Sequence, residues 1–195
     1  MVSVKVDGEE HFAGQSDARS MDELIELVKA SIDPDSMITS IQLAGENLTD
    51  QDWTRPVATM TEQTVEIATG TKEDFVKQRL SSSPDVVTHM IELLEDAAQL
   101  FEVSASFEGS EKFKKAIDEF QAFLGWFNTL FSLKPVVLEG REEEFIAHVV
   151  KLTATSEELL QQQLHQSWWA ISETIRKTLV PQLEELRNYC SGLMD

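Results

Sequence analysis

Metal ligation is the first chemistry to consider, because the chain carries four histidines and 35 acidic residues. A di-iron site in a helical bundle takes a Glu from each of two helices and a Glu-x-x-His pair from each of the other two. None of the four histidines follows a Glu by three residues. His148 follows Glu144 by four residues, and His89 precedes Glu92 by three. The sequence therefore predicts no metal ligands and no cofactor.

Nucleophilic and phosphate chemistry also lack the residue patterns that they need. Cys190 is the one cysteine, with no histidine near it in sequence, and the chain has no G-x-S-x-G turn. The glycines are scattered singly, whereas a phosphate-binding loop clusters them at a strand-to-helix turn. Paired acids fall on predicted solvent faces: Glu95-Asp96, Asp118-Glu119, Glu157-Glu158 and Glu184-Glu185. We predict no catalytic residues and expect that the protein is not an enzyme.

The composition and the net charge indicate which classes of partner the chain can bind. The 195-residue chain has a formal net charge of −19, and 42% of its residues are hydrophobic. An acidic surface repels nucleic-acid phosphates and anionic lipids, so we expect neither nucleic acid nor membrane as a partner. No apolar run reaches the ~20 residues of a membrane span, and the N-terminus lacks the pattern of a signal peptide. We expect a soluble, cytoplasmic protein.

The N-terminal part shows patterns for strand, strand, helix, strand and strand. Val2, Val4 and Val6 alternate with polar residues, and Asp7-Gly8 supplies the turn of a hairpin. Ser20 and Glu23 form the capping box of a helix. The other predicted elements are a return strand near residues 10–13, a helix from Met21 to Asp33, and strands at 38–43 and 64–69, with a polar loop at 46–56.

The stretches VSVKVDGEEHF, SMDELIELVKASI and ITSIQLAGENLTDQDW resemble a ubiquitin-like β-grasp domain over residues 2–70. This resemblance implies one helix covering one face of a small mixed sheet. The conjugated modifiers and sulfur carriers of that superfamily end in a free Gly-Gly tail. Here Gly70 is internal, followed by Thr71 and 124 further residues. The resemblance therefore implies an adaptor or docking domain and not a conjugated modifier.

The remaining chain is predicted to be helical. We expect a β-grasp domain of residues 1–72, a linker of residues 73–83 and an antiparallel four-helix bundle of residues 84–195, which gives an α+β fold class. Ser167 is the predicted cap of the last helix, in which Pro181 should produce a kink. No Gly or Pro separates the last two helical stretches, so three helices with a long bent last helix are the alternative.

The helix at residues 112–133 carries two apolar stripes. The first has the spacing of a seam packed lengthwise against partner helices: Phe113, Ile117, Phe120, Leu124, Phe127 and Phe131. The second is Phe123, Trp126, Leu130 and Leu133. Consecutive helical residues point about 100° apart, so Trp126 and Trp169 must leave the seams that Phe127 and Trp168 occupy. The predicted partner-binding residues are Phe123, Trp126, Leu130 and Trp169.

The stretches EGSEKFKKAIDEFQAFLGWF and LVPQLEEL are similar to those of bacterial proteins in which a small β domain precedes a helical region, a family without an established activity. We predict a non-enzymatic protein-interaction protein: an adaptor, a chaperone-like protein or a dimerising scaffold. Its acidic rim would select a basic protein partner, or the chain would self-associate as a homodimer. The alternative is a small-ligand-binding protein or enzyme with its pocket between the bundle and the β domain.

Overall fold

The computed structural model of the chain describes residues 2–11, 18–60 and 62–194, apart from the side chain of Asp50. It divides the chain into two compact units, Met1–Gln78 and Arg79–Asp195. The first unit contains a mixed β-sheet, and the second consists of helices. The predicted α+β class is therefore confirmed.

Five strands form the sheet within the described residues, one more than the sequence predicted. They are β1 Ser3–Val6, β2 Glu9–Glu10, β3 Met37–Leu43, β4 Glu46–Asn47 and β5 Thr64–Gly70, in the order β2-β1-β5-β3-β4. β1 and β5 are parallel, and the other pairs are antiparallel. The missed strand is β4, which returns along β3 because Ala44 and Gly45 both have positive φ, the backbone of a tight hairpin turn. Residues 12 and 13 of the predicted return strand lie outside the described residues.

A single helix packs its apolar face on this sheet. Helix α1, Met21–Lys29, begins as predicted at Ser20, whose Oγ accepts a hydrogen bond from the Glu23 N–H at 3.4 Å. Glu23 Oε2 accepts from the Arg19 N–H at 2.8 Å. The helix ends before the predicted Asp33. The core of this unit joins its buried side chains to those of the strands: Val2, Val4, Met21, Leu24, Ile25, Val28, Leu43, Val65 and Ile67.

Residues 73–83, predicted as a linker, are helical over most of their length. After the short helix α2, Asp50–Trp53, and a 3₁₀ turn at Val57–Thr59, helix α3 runs from Lys72 to Ser81. The Thr71 N–H and Oγ1 donate to Asp74 Oδ2 at 3.0 and 2.7 Å, and the Asp74 N–H donates back to Thr71 Oγ1. These reciprocal bonds satisfy free N–H groups in the first turn and explain why a charged segment is helical.

The second unit contains the long helices. They are α4 Ser83–Glu102, α5 Ser106–Ser132, α6 Glu142–Leu164, α7 Trp168–Thr174 and α8 Val180–Gly192, with a 3₁₀ turn at Val136–Leu138 and a π-helical segment at Ile175–Leu179. Between α6 and α7, Gln166 has φ 53°, which interrupts the helix. The structure therefore has two helical stretches here and not the one long helix of the alternative prediction. Trp168 stacks on Phe101 of α4 with ring centroids 5.4 Å apart.

Pro181 does not break the last helix, because a wider turn precedes it. The Val180 N–H donates to the Ile175 carbonyl, five residues back. Proline lacks an N–H, and its ring collides with the carbonyl four residues earlier in a regular α-helix. A π-helical turn in front of proline moves that carbonyl away. The apolar residues on both sides of the wide turn are all buried and form one seam: Ile171, Ile175, Leu179, Leu183 and Leu186.

The buried face of α5 differs from the predicted seam. Phe113 and Phe127 are buried, but Ile117, Phe120 and Leu124 are only half-buried. Their places in the core are taken by Ala116, Phe123 and Leu130. α5 packs against α4 with its second stripe turned inward, and this orientation explains which of its side chains are buried. Phe127 is central, because its ring stacks on Phe145 of α6 with centroids 4.4 Å apart and also contacts the rings of Phe123, Trp126 and Phe131.

Replacing Phe127 by Ala should lower the free energy of unfolding by about 3 to 5 kcal/mol, because the surrounding aromatic rings cannot close the cavity. Phe127 is 0% exposed, whereas Phe107 on the same helix is 74% exposed. The matched substitution Phe107→Ala should change the free energy of unfolding by less than about 0.5 kcal/mol. Urea denaturation followed by circular dichroism measures both. Similar losses at the two positions would contradict the placement of Phe127 in the core.

Candidate functional site

A groove of about 650 Å³ runs between the N-terminal half of α4 and the C-terminal half of α5. Its apolar lining comes from Val86 on α4 and from Ala122, Phe123 and Trp126 on α5. Its polar lining is Asp85 and His89 on α4, Glu119 on α5, Ser82, and Arg79 near the end of α3. The groove is thus an apolar floor with two carboxylates and one guanidinium at its edges, within the helical unit.

Helical spacing places these side chains on facing surfaces. Val86 and His89 are three residues apart on α4, and Glu119, Ala122 and Trp126 follow one another by three and four residues on α5, so each set lies on one helix face. Phe123 forms the buried floor of the groove, and its ring centroid lies 5.6 Å from that of Trp126. Trp126 itself is half-buried, with one side against the core rings and the other in the groove.

The polar edge connects the two helices through weak contacts between exposed and partly exposed side chains. His89 Nε2 lies 3.6 Å from Glu119 Oε1, and His89 Nδ1 lies 3.7 Å from Glu92 Oε2. Lys115 Nζ lies 3.7 Å from the same Glu119 oxygen. Exposed pairs of this kind contribute ~0–1 kcal/mol each. The carboxylates therefore remain available to a basic group that enters the groove.

The structure does not bring the four predicted partner-binding residues into one patch. Phe123 and Leu130 are buried, because α5 turns the second stripe toward α4. Trp126 lines the groove beside Val86 and His89, and Trp169 is exposed at the start of α7. α7 meets the other end of α4, where Trp168 stacks on Phe101. Since His89 and Phe101 are 12 residues apart on one helix, the two tryptophans lie near positions about 18 Å apart along α4.

Sequence reasoning missed Val86, His89 and Glu119 as groove residues. Val86 is an apolar residue on the exposed side of α4, outside the buried face of Val87, Met90 and Leu94. An apolar residue outside the buried stripe of a helix was the one sequence feature that could have indicated the groove. His89 and Glu119 face each other because of how α4 and α5 are aligned. The sequence of either helix alone does not determine that alignment.

Cys190 is a buried thiol and not an exposed nucleophile. It is fully buried in α8, and burial raises its pKa to about 11, although a hydrogen bond with the Ser83 side chain opposes that rise. The adjacent Tyr189 donates its hydroxyl hydrogen bond to the Arg141 carbonyl at 2.9 Å, and burial raises its pKa as well. Burial keeps the Cys190 thiol and the Tyr189 hydroxyl neutral, and both side chains hold α8 against neighbouring helices.

Two further findings concern the part of the chain that the structure describes. Across residues 2–11, 18–60 and 62–194, no three His, Cys, Asp or Glu side chains are grouped so that they could hold a metal ion. Within the same residues, no helix combines the length and apolar character that crossing a bilayer requires.

The fold and the groove define a class: an acidic α+β protein with a small mixed-sheet unit and a helical unit that carries an apolar groove. No protein-family model, curated protein or solved structure matches the chain.

The raised pKa of Cys190 predicts a pH-dependent contribution to stability. The unfolded thiol loses its proton near pH 9, whereas the folded thiol keeps it until about pH 11. Between these values the unfolded state binds fewer protons, so the free energy of unfolding falls as pH rises, by about 2 to 3 kcal/mol from this group. Urea denaturation of the wild type and of Cys190→Ala between pH 8 and 11 isolates the effect. The wild-type advantage should shrink above pH 9, and a constant difference would contradict the prediction.

Proposed function

We propose that this chain is a non-enzymatic protein-interaction protein whose helical unit binds a basic segment of a partner protein in the groove between α4 and α5. The observation that carries the proposal is the groove itself, with half-buried Trp126 in an apolar lining, and with Asp85 and Glu119 outnumbering Arg79 at its edges. The N-terminal unit is proposed to be a ubiquitin-like β-grasp domain and the helical unit an antiparallel four-helix bundle.

The β-grasp proposal is supported by strand order and direction. The first and last strands, β1 and β5, are parallel neighbours at the centre of the sheet, and hairpins at both edges add β2 and β4. One helix, α1, packs on this sheet with Met21, Leu24, Ile25 and Val28. A parallel central pair needs a crossover connection, and α1 lies in that connection. This is the arrangement that the sequence resemblance implies.

The bundle proposal is supported by the order of contacts among the long helices. α4 packs against α5 and against α7 and α8, while α6 packs against α7 and α8. Phe127 and Phe145 join α5 to α6. Short connections between consecutive helices favour antiparallel neighbours. The α7–α8 stretch then acts as the fourth helix, with the π-helical segment inside it.

The chemistry of the groove favours a basic protein partner. Aromatic side chains that are partly sheltered at a concave surface are typical anchors of protein interfaces, and Trp126 has that position. A chain with net charge −19 repels a second copy of itself and attracts basic surfaces. The proposed occupant is therefore the apolar face of a Lys- or Arg-rich helix, with its cations near Asp85 and Glu119.

Site-specific photo-crosslinking in the native cells tests the proposal. A photoreactive amino acid at Ala122, which is exposed in the groove, should give an adduct with one basic protein. The same amino acid at Lys114, an exposed position on α5 outside the groove lining, serves as the matched control and should not give that adduct. Mass spectrometry identifies the captured protein.

Two variants separate loss of binding from loss of folding. Val86→Asp introduces a charge into the groove at a partly exposed position, and Trp126→Ser removes the aromatic anchor. Either should abolish the Ala122 adduct while urea denaturation shows the Val86→Asp protein to be folded. An adduct that persists in folded Val86→Asp, or that forms equally from Lys114, would refute the groove as the binding site.

A small-ligand function also has one supporting observation. The groove volume falls within the range of about 300 to 1,000 Å³ typical of small-molecule sites. The predicted pocket between the two units remains a prediction. Native mass spectrometry of the purified chain should show the polypeptide mass alone if the groove serves a protein partner. A bound small molecule that Val86→Asp releases would favour the ligand function instead.

A further inference from the structure

Helix α6 exposes a line of large apolar side chains along its outer face. Ile146, Val150, Leu160 and Leu164 are 50%, 63%, 54% and 75% exposed. Residues 146 and 164 are about five whole turns apart, and residues 150 and 160 lie within about 40° of the same direction. We call these four residues the α6 stripe. It extends for about 27 Å along the helix.

The α6 stripe is distinct from the face that holds α6 in the fold. The buried face consists of Phe145, Leu152, Thr155 and Leu159, which pack inward. Polar contacts to α7 and α8 occupy another side, where Gln162 Nε2 donates to Thr174 Oγ1 at 3.0 Å and Lys151 Nζ donates to Glu185 Oε2 at 3.0 Å. Burial of the core therefore does not account for four exposed apolar residues on one line. Isolated exposed apolar residues are ordinary, but here two pairs one turn apart, Ile146 with Val150 and Leu160 with Leu164, share one face, and clustered exposed apolar residues mark interaction sites.

The charges on α6 indicate what kind of surface would cover the stripe. The helix has five Glu and one Lys, and that lysine is paired with Glu185. From Leu152 to Ile175 the chain has no Lys or Arg at all. Glu157 lies within the stripe's direction, halfway between Val150 and Leu164, whereas Glu158 points about 120° away and accepts a hydrogen bond from Gln162 Nε2 at 3.1 Å. A partner that buried the stripe would place its own side chains against the Glu157 carboxylate.

A second copy of the chain fits this surface poorly. Pairing two α6 stripes would bring ten glutamates and two lysines together, in chains that each carry a net charge of −19. Like charges across an interface oppose association, whereas complementary charges accelerate it and fix its register. The favoured occupant is therefore a basic amphipathic helix from another protein.

We propose that the α6 stripe is a second docking surface, separate from the groove between α4 and α5, and that it binds one basic amphipathic helix lengthwise. Apolar residues on one face of the bound helix, spread over about five turns, pack on Ile146 and Val150 at one end and on Leu160 and Leu164 at the other. Its Lys or Arg residues pair with Glu157. The two surfaces share no residue, so each can be disabled alone.

The test measures binding of a defined probe to the full chain. The probe is a fluorescently labelled 18-residue peptide of leucine and lysine, with the leucines on one helical face, and the control peptide has the same composition in scrambled order. Fluorescence anisotropy in physiological salt gives the dissociation constants. The double variant Val150→Gln/Leu160→Gln removes the centre of the stripe at exposed positions. Phe107→Gln is the control, because it removes an exposed apolar residue from α5, away from the stripe.

Every variant in the test also carries Val86→Asp, so that the groove is disabled and the parent chain is Val86→Asp alone. The patterned peptide should bind this parent, and the added double substitution should weaken binding about tenfold or more, because two apolar contacts are lost. Added Phe107→Gln should leave the dissociation constant within about twofold of the parent's. The scrambled peptide should not distinguish the parent from the double variant. Glu157→Lys should also weaken binding of the patterned peptide.

Three outcomes would overturn the proposal. Equal binding of the patterned peptide by the Val86→Asp parent and by the double variant in that background would show attraction by net charge alone. Binding by the wild type that is lost in the Val86→Asp parent would assign the peptide to the groove. A wild-type dimer in light scattering that becomes a monomer in the double variant would show that a second copy covers the stripe.

Discussion

The aromatic packing around Phe127 determines which side chains of the helical unit remain at the surface. Phe127 on α5 and Phe145 on α6 stack with centroids 4.4 Å apart, which directs both inward. Because neighbouring residues of a helix diverge by about 100°, Trp126 and Ile146 must then lie toward the outside. The groove and the α6 stripe both begin beside this one buried contact. The core therefore sets the position of both candidate binding surfaces.

Elements with a clear apolar period were predictable from the sequence. The strands β1, β3 and β5, the helix α1 and its Ser20 cap, the buried face of α4 and the Ile171–Leu186 seam all follow from alternation or from three- and four-residue spacing. The missed elements are maintained by local hydrogen bonds and backbone angles. β4 depends on positive φ at Ala44 and Gly45, and α3 depends on the reciprocal bonds of Thr71 and Asp74. Neither these backbone angles nor these hydrogen bonds alter the spacing of apolar residues, so that spacing did not indicate β4 or α3.

The candidate site was predictable only in part, because α5 offers two apolar stripes and the sequence does not say which faces α4. Choosing the first stripe left Phe123 and Leu130 for a partner, whereas the structure buries both. Trp126 was identified correctly as a residue outside the main seam, since its neighbour Phe127 occupies the core. Its distance from Trp169 depends on the direction and alignment of separate helices. Those are properties of tertiary packing that no single stretch of sequence contains.

The π-helical segment at Ile175–Leu179 has a consequence for the length of the last helix. Its buried residues Ile171, Ile175, Leu179 and Leu183 are separated by three successive steps of four, and each step overshoots an α-helical turn by about 40°. A continuous α-helix would carry Leu183 about 120° away from Ile171, but the wider turn takes up the excess and keeps all four in the core. The segment thus stores one residue more than an α-helix of the same rise. A single-residue deletion there would leave a regular helix in place of the wide turn, with Ile171 and Leu183 eleven residues apart and still within about 20° of one direction, so the Trp168 end and the Cys190 end would keep their relative orientation.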